Sequence, residues 1–340
     1  MKPRVWFNKN FSPIIHVLQE IAPHTVLFTS HTSADSPMLY GDWQSFSEPS
    51  GLVGSPYLEY ALQICADKNI DLFIPSKEAG FLSRHLAAFA AIGTRVVTVA
   101  NHQTLKHLED KAAFYKAFPD LRVCLPQTLV VDSWQELQAA VAQMQARGHL
   151  VCIKPAIGTY GYGFRLITAQ EQLSDFLKGD THRISMRQAE HIFANAKKFV
   201  TMLVMEFLPG REFSVDCLAQ QGVLVGAVVR EKIGGLGNVQ TVCGSLANPE
   251  LHDMVVALTS HYQLNGIFNA QFKTDQQGKA CLLEINARPS GGLRFSMAGG
   301  FSFGLNLVGL ELGSLQITDI APPSRQTIRV TETKQALVLA

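Results

Sequence analysis

Leu150-Val151-Cys152-Ile153-Lys154-Pro155 is followed two residues later by Gly158-Thr159-Tyr160-Gly161-Tyr162-Gly163, and then by Phe164-Arg165-Leu166-Ile167. An apolar run, a glycine-rich loop and a second apolar run in this order decide how the rest of the chain is read. Glycines let consecutive backbone N–H groups turn inward and form an anion nest. A dinucleotide fingerprint or a P-loop would open into a helix at this point. Here a β-forming run follows, so the loop reads as the tip of a β-hairpin, a flap. Lys154 stands near the end of an otherwise apolar run, where a lone ammonium needs an anionic partner, and a phosphate would serve. Taken singly, the loop is equally an ordinary glycine-rich hairpin and Lys154 a lysine reaching for the surface.

Upstream of the flap, Trp134 to Arg147 has helical spacing and is closed by Gly148, and Thr128 to Val131 reads as a strand after Pro126. A helix through Leu105 to Phe118 carries Asp110-Lys111. Before Gln103 the pattern changes to short β-rich runs (Val5–Phe7, Val26–Thr29, Leu72–Ile74, Val96–Val99) alternating with helical segments (Pro13–Ile21, Tyr57–Lys68, Ala79–Ile92). Strand, helix, strand in succession predicts an open parallel α/β sheet. The Ser-, Pro-, Gly- and Asp-rich segment Ser30–Ser55 falls at the carboxyl side of its second strand, where such sheets bind ligands. The boundaries expected are 1–103, 104–204 and 205–340.

Downstream, Val204-Met205-Glu206-Phe207-Leu208-Pro209-Gly210-Arg211-Glu212 reads as a strand ending near Phe207, a Pro-Gly turn and a new strand at Glu212. Such a connection can present backbone groups to a flat heterocycle, and a carboxylate beside it can accept from sugar hydroxyls. Two solvated glutamates on a hairpin fit the same residues. Ile267–Lys273 and Cys281–Pro289 read as antiparallel strands joined through Asp275 to Gly278. Period-two alternation puts Glu284, Asn286 and Arg288 on one face, to which Gln271 can point from the partner strand. Oxygen donors with few charges suit Mg2+, which keeps waters and phosphates as its other ligands, and Arg288 would face a phosphate oxygen. A polar outer face of an ordinary sheet remains the alternative.

Composition narrows the classes. Of 340 residues, 47% are apolar and 17% charged, and 29 basic against 28 acidic side chains leave a net charge of +1. That balance offers no general attraction to nucleic acid or to an anionic membrane. No signal-peptide core follows Met1-Lys2-Pro3-Arg4, and no run of about 18 apolar residues occurs, so a cytoplasmic protein is expected. The six cysteines lie far apart with no CxxC pair, mostly inside apolar runs, and are expected to be buried free thiols.

Asp110-Lys111, Lys154 with its flap, Met205 to Glu212, and Gln271, Glu284, Asn286 and Arg288, in this order, resemble the ATP-grasp superfamily, most closely its carbamoyl-phosphate-synthase-like members. The resemblance spans roughly residues 1 to 310. It implies an N-terminal open parallel α/β domain followed by a two-lobed α+β ATP-grasp domain. It also implies that Lys111 and Lys154 hold the phosphates of ATP under a lid that includes Gly158, Thr159, Gly161 and Gly163. The backbone of Met205, Glu206, Phe207 and Leu208 would read adenine and Glu212 the ribose. Gln271, Glu284 and Asn286 would hold Mg2+, with Mn2+ as an alternative. Many relatives have an acid at the first of these, so Gln271 lowers the charge of the site by one. Arg288 resembles the arginine that steadies the transferring phosphoryl group.

The activity implied is ligation of a small-molecule carboxylate to an amine, or to a thiol, through an acyl phosphate, with no nucleic acid and no membrane involved. Arg230 could clamp the carboxylate, with Lys232, Gly234 to Asn238, Ser290-Gly291-Gly292 and Arg294 nearby, although a solvated basic pair and a flexible loop fit as well. Two other classes fit the chain less well. A nicotinamide-dependent oxidoreductase lacks its GxGxxG, since Asn8-Lys9-Asn10 follows the first strand. A nucleotide-binding protein with a sensing or assembly role would not need the intact Lys111, Lys154, Glu284, Asn286 and Arg288. Asp180 to Lys198 reads as a helical insertion or a basic surface helix, and Thr327 to Ala340 alternates as a strand that could extend a sheet or a homodimer contact.

Overall fold

The computed structural model describes residues 1–10, 14–158, 161–170, 173, 177, 182–233 and 238–332. The chain divides into two compact units. The first comprises Met1–Lys106, Glu212–Gln271 and Ile285–Ala340, and the second His107–Arg211 and Phe272–Glu284.

The first unit opens with five strands, β1 (Arg4–Phe7), β2 (Val26–His31), β3 (Gln44–Ser47), β4 (Leu72–Ile74) and β5 (Arg95–Val96). They pair in parallel in the order β3-β2-β1-β4-β5, the open parallel sheet expected. β1 is apolar on both faces because both are covered. Val5 and Phe7 pack with Val17, Leu18 and Ile21 of the helix Ile15–Ile21, whereas Trp6 packs with Phe28, Tyr57 and Phe73 on the other side. The Trp6 and Phe73 rings stack at 4.0 Å. Three expectations need correction. Ala79–Ile92 is two helices, Ala79–Leu82 and Leu86–Ala91; Ser30–Ser55 contains β3; and the run at Val96–Val99 forms a strand only at Arg95–Val96.

The second unit is built on β6 (Thr128–Val131), β7 (Val151–Pro155), β8 (Arg165–Thr168), β9 (Arg183–Ser185) and β10 (Met202–Glu206), in the order β6-β10-β7-β8-β9. Alternation along the two central strands sorts their side chains. Val151, Ile153, Met202 and Val204 join Trp134, Leu137, Val141 and Met144 of the helix Trp134–Ala146 on one face. Cys152, Leu203 and Met205 lie on the other, under Ala112 and Tyr115. Lys154, two residues beyond Cys152, therefore belongs to this second face. β7 and β8 pair antiparallel, Cys152 opposite Leu166, so the glycine loop does join two arms of a hairpin. The helix expected over Leu105–Phe118 is broken in two, His102–Glu109 and Lys111–Lys116, because Asp110 leaves helical geometry and caps the second piece, accepting from the Ala112 and Ala113 amides. The segment after residue 180 supplies β9 and the helix Met186–Phe193, which starts with a capping box of Ser185 and Gln188.

The remaining strands, β11 (Glu212–Gln220), β12 (Val223–Lys232), β13 (Gln240–Gly244), β14 (Gly266–Thr274), β15 (Ala280–Asn286) and β16 (Ile328–Val330), form one sheet in the order β15-β14-β11-β12-β13-β16. Residues 328–330 of the tail thus extend this sheet through β13. Leu218, Val228, Val242 and Ile267 from it share the core of the helix Ile15–Ile21 with Phe295, Phe303 and Leu307.

One expectation about the cysteines fails. Cys124 and Cys281 are joined by a disulfide across 157 residues, while Cys65, Cys152, Cys217 and Cys243 are free. Leu282 N donates to Cys124 O at 2.7 Å, a bridge between backbones that brings the two side chains together and that no local spacing announces.

Candidate functional site

In the second unit the face carrying Lys154 combines a charged cluster with an apolar floor. Lys111 follows the capping Asp110, and its Nζ donates to Gly158 O at 2.7 Å and lies 3.8 Å from Glu284 Oε2. Lys154 is half-buried, its Nζ 5.5 Å from the centre of the Tyr115 ring. Burial pulls its ammonium down to about 8, with the Glu284 carboxylate opposing the shift and Lys111 adding to it. Two cations beside one carboxylate leave room for an anion. The Tyr115 hydroxyl donates to Leu283 O at 2.7 Å, and its burial raises the phenol well above the ordinary range, so it stays protonated. Burial likewise pushes the Cys152 thiol up to about 11, which makes it an inert part of the floor.

The floor consists of Ala112, Cys152, Ala156, Leu203 and Met205, bordered by Tyr115, Val130, Phe164 and Phe207. At its edge Lys273 Nζ sits 4.6 Å over the Phe207 ring. The Glu206 carboxylate lies 3.3 Å from His149 Nδ1 and accepts from Gln127 N at 3.3 Å. The amides of Glu206 and Phe207 are committed to Gln127 O and Leu150 O. Gly161 and Gly163 adopt φ of +69° and +78°, and a Cβ on Gly163 would come 2.7 Å from the Pro155 ring, so a tight return onto β7 requires glycine there. Thr159 lies outside the described residues.

Among the residues singled out from sequence, the second unit therefore holds Lys111, Lys154, Gly158, Gly161, Gly163, Met205, Glu206, Phe207, Leu208 and Glu284, and the first holds Glu212, Arg230, Gln271, Asn286 and Arg288. Glu212 pairs with Lys232 at 3.1 Å. Arg288 Nη2 reaches Asn286 Oδ1 at 3.5 Å and its Nη1 the Pro289 carbonyl at 3.2 Å. Arg230 is buried and donates to Asp216, Ser214, Gln240, Ser290 and Ser296. Arg294 is paired with Glu332. Residues 234–237 lie outside the described residues. No cluster of three or more His, Cys, Asp or Glu side chains with metal-binding geometry occurs among the described residues. Nor is any described helix long and apolar enough to cross a membrane.

Tyr115 and Lys273 escaped the sequence reading, though both had a signal. Tyr115 is four residues past Lys111, on the same helical face. Lys273 is two past Gln271, on the same strand face.

Comparison with known proteins bears on the fold. Residues 198–336 match the sequence profile of a family described as ATP-grasp in the biosynthetic pathway with Ter operon. No curated protein matches the chain. Among solved structures, the L-amino acid ligase from Bacillus licheniformis superposes with a TM-score of 0.62 at 13% identity, over 94% of this chain and 77% of that one. An ADP complex of N5-carboxyaminoimidazole ribonucleotide synthetase gives 0.65 at 12%, over 96% and 79%. The biotin carboxylase from Campylobacter jejuni gives 0.61 at 15%, over 92% and 71%. The chain has the ATP-grasp fold, and its resemblance to that superfamily extends from the fold of nearly the whole chain to the sequence of residues 198–336.

Proposed function

We propose that this protein is an ATP-dependent ligase that activates a small-molecule carboxylate as an acyl phosphate and transfers the acyl group to an amine, or to a thiol. The observation that carries the reading is the trio Lys111, Lys154 and Glu284 beside an apolar, partly aromatic floor, an arrangement that suits polyphosphate and purine together. Lys111 and Lys154 bind the phosphates beneath the glycine loop at Gly158, Gly161 and Gly163. With the Glu206 and Phe207 amides already used by the sheet, the base is read by the groups that follow them, at Phe207 and Leu208. Glu212 turns from Lys232 to the ribose hydroxyls.

The metal ligands are proposed on the β14–β15 hairpin at Gln271, Glu284 and Asn286. The donor set fits Mg2+ or Mn2+: all three are oxygen donors, and Glu284 supplies the single full charge, which leaves coordination positions for phosphate and water. When bound, the ion supplies neutralisation of phosphate charge. In the reaction a carboxylate oxygen bonds to the γ-phosphorus as the bond to the ADP oxygen breaks. The amine nitrogen then bonds to the acyl carbon and phosphate departs, the amine proton passing to solvent. No side-chain nucleophile is needed. Lys154 and Arg288 hold the transferring group by charge, and the flap excludes water from the acyl phosphate. The three-part division at 103/104 and 204/205, a cytoplasmic location and a homodimer contact through the tail complete the reading.

Calorimetry with ADP and Mg2+, followed by phosphate release from pooled carboxylates and amines, tests it. Lys154→Ala, Glu284→Ala and Arg288→Ala should each abolish nucleotide turnover with the fold intact, and wild-type turnover in all three would end the assignment.

A further inference from the structure

Arg230 of β12 is 5% exposed, at the centre of a polar core inside the first unit. Its Nε donates to Asp216 Oδ2 at 2.9 Å and Ser296 Oγ at 3.2 Å, its Nη1 to Gln240 Oε1 at 2.8 Å, and its Nη2 to Ser214 Oγ at 2.8 Å and Ser290 Oγ at 2.9 Å. Asp216, fully buried, also accepts from Ser296 Oγ at 2.6 Å and from Asn269 Nδ2 at 2.9 Å. β11, β12, β13, the turn after β15 and the helix Leu293–Ala298 thus meet at one guanidinium, and β14 joins them through Asn269 on Asp216.

A buried ion pair is weak evidence for stability, since an apolar replacement often does as well. What a planar, five-donor fork supplies is geometry. The geometry here is that of the turn carrying two of the proposed working residues. Ser290 lies two residues past Arg288 and four past Asn286, and its Oγ also accepts from Gly292 N at 3.2 Å. Gly292 packs so closely on the guanidinium that a Cβ there would lie 2.6 Å from Cζ. Residues 287–292 belong to no helix or strand, so contacts of this kind set their path.

We propose that Arg230 is a positioning residue that seats the 286–292 turn and thereby governs the metal-dependent part of nucleotide binding through Asn286 and Arg288, without itself touching a ligand. The geometric part stands on the observations above; the effect on nucleotide rests on the proposed function. Two variants of the full chain test it. Ser290→Ala removes one acceptor and leaves the pair with Asp216 whole, and Arg230→Lys keeps the charge but loses the fork.

Amide hydrogen exchange should accelerate about tenfold in residues 286–296 while β11 to β13 keep wild-type protection, the signature of a local opening. The gain in ADP affinity brought by Mg2+ should fall by about tenfold, with metal-free ADP affinity unchanged, as when a group supporting a metal ligand is lost. Unchanged exchange at 286–296, or acceleration spread evenly over the strands, overturns the proposal. So does a loss of ADP affinity that is equal with and without Mg2+. Absence of ADP affinity in the wild type would defeat the nucleotide reading instead, and exchange alone would then decide the role of Arg230. If Arg230→Lys does not fold, Ser290→Ala decides.

Discussion

Raising the pH from 7 to 9.5 should weaken nucleotide binding, and Lys154 sets the size of the effect. In the free protein burial holds its ammonium at about 8 instead of 10.5, so the proton leaves as the pH passes 8. A phosphate beside it favours the charged form and returns the group toward its ordinary value. Nucleotide binding then takes up a proton in the window between the two values, and affinity falls as pH rises through it. With a full return to 10.5, the loss at pH 9.5 relative to pH 7 is about 30-fold, and close to one proton per nucleotide is taken up at pH 9. The stability of the free protein moves the other way. Between pH 8 and 10.5 the unfolded chain holds the proton that the folded chain has lost, so the contribution of Lys154 to stability rises with pH across that window. Titration calorimetry with a nonhydrolysable ATP analogue and Mg2+, in two buffers of different ionisation enthalpy, measures affinity and proton uptake together. Lys154→Arg, charged throughout, should bind with little pH dependence above 8. A wild-type affinity flat from pH 7 to 9.5, or the same slope in Lys154→Arg, would show that the Lys154 ammonium does not control nucleotide affinity.

Thiol titration of the denatured, unreduced chain should find the four free cysteines, and all six after reduction. Reduction should also lower the unfolding free energy in urea by about 2–4 kcal/mol, the usual worth of a long-loop disulfide; six thiols without reductant would sink the pairing. Asp110→Ala should cost about 1 kcal/mol of stability by removing the cap on the helix that begins at Lys111, with Asp110→Asn close to wild type in the same urea titration. Gly163→Ala places a side chain at positive φ against the Pro155 ring and should destabilise the hairpin tip by about 1–3 kcal/mol. Its readout is faster proteolysis within residues 155–165, and unchanged cleavage would count against the tight return.

Alternation and turn chemistry are local, and they make much of this molecule legible in the chain itself. A period of two puts Glu284 and Asn286 on one strand face, and the order apolar run, glycine loop, apolar run reads as a hairpin, which the antiparallel pairing of β7 with β8 bears out. The β-run after the flap excludes a helix there, and β8 is a strand. Where the local pattern misleads, the deciding force is local but weak or is not local at all. Apolar spacing through Leu105–Phe118 looks continuous, yet a single capping carboxylate at Asp110 outweighs it.

Hydrophobic period, glycine placement and isolated charges act over a few residues, so the class of fold and the order of most elements are legible in the chain, as are the residues proposed to grip phosphate. Tertiary structure alone decided that Arg230 is enclosed by Asp216 and four other acceptor side chains and not exposed, and that Cys124 meets Cys281. It also decided that Tyr115 stands under Lys154. Desolvation and close packing depend on which distant segments come together, and such contacts leave no period in the chain.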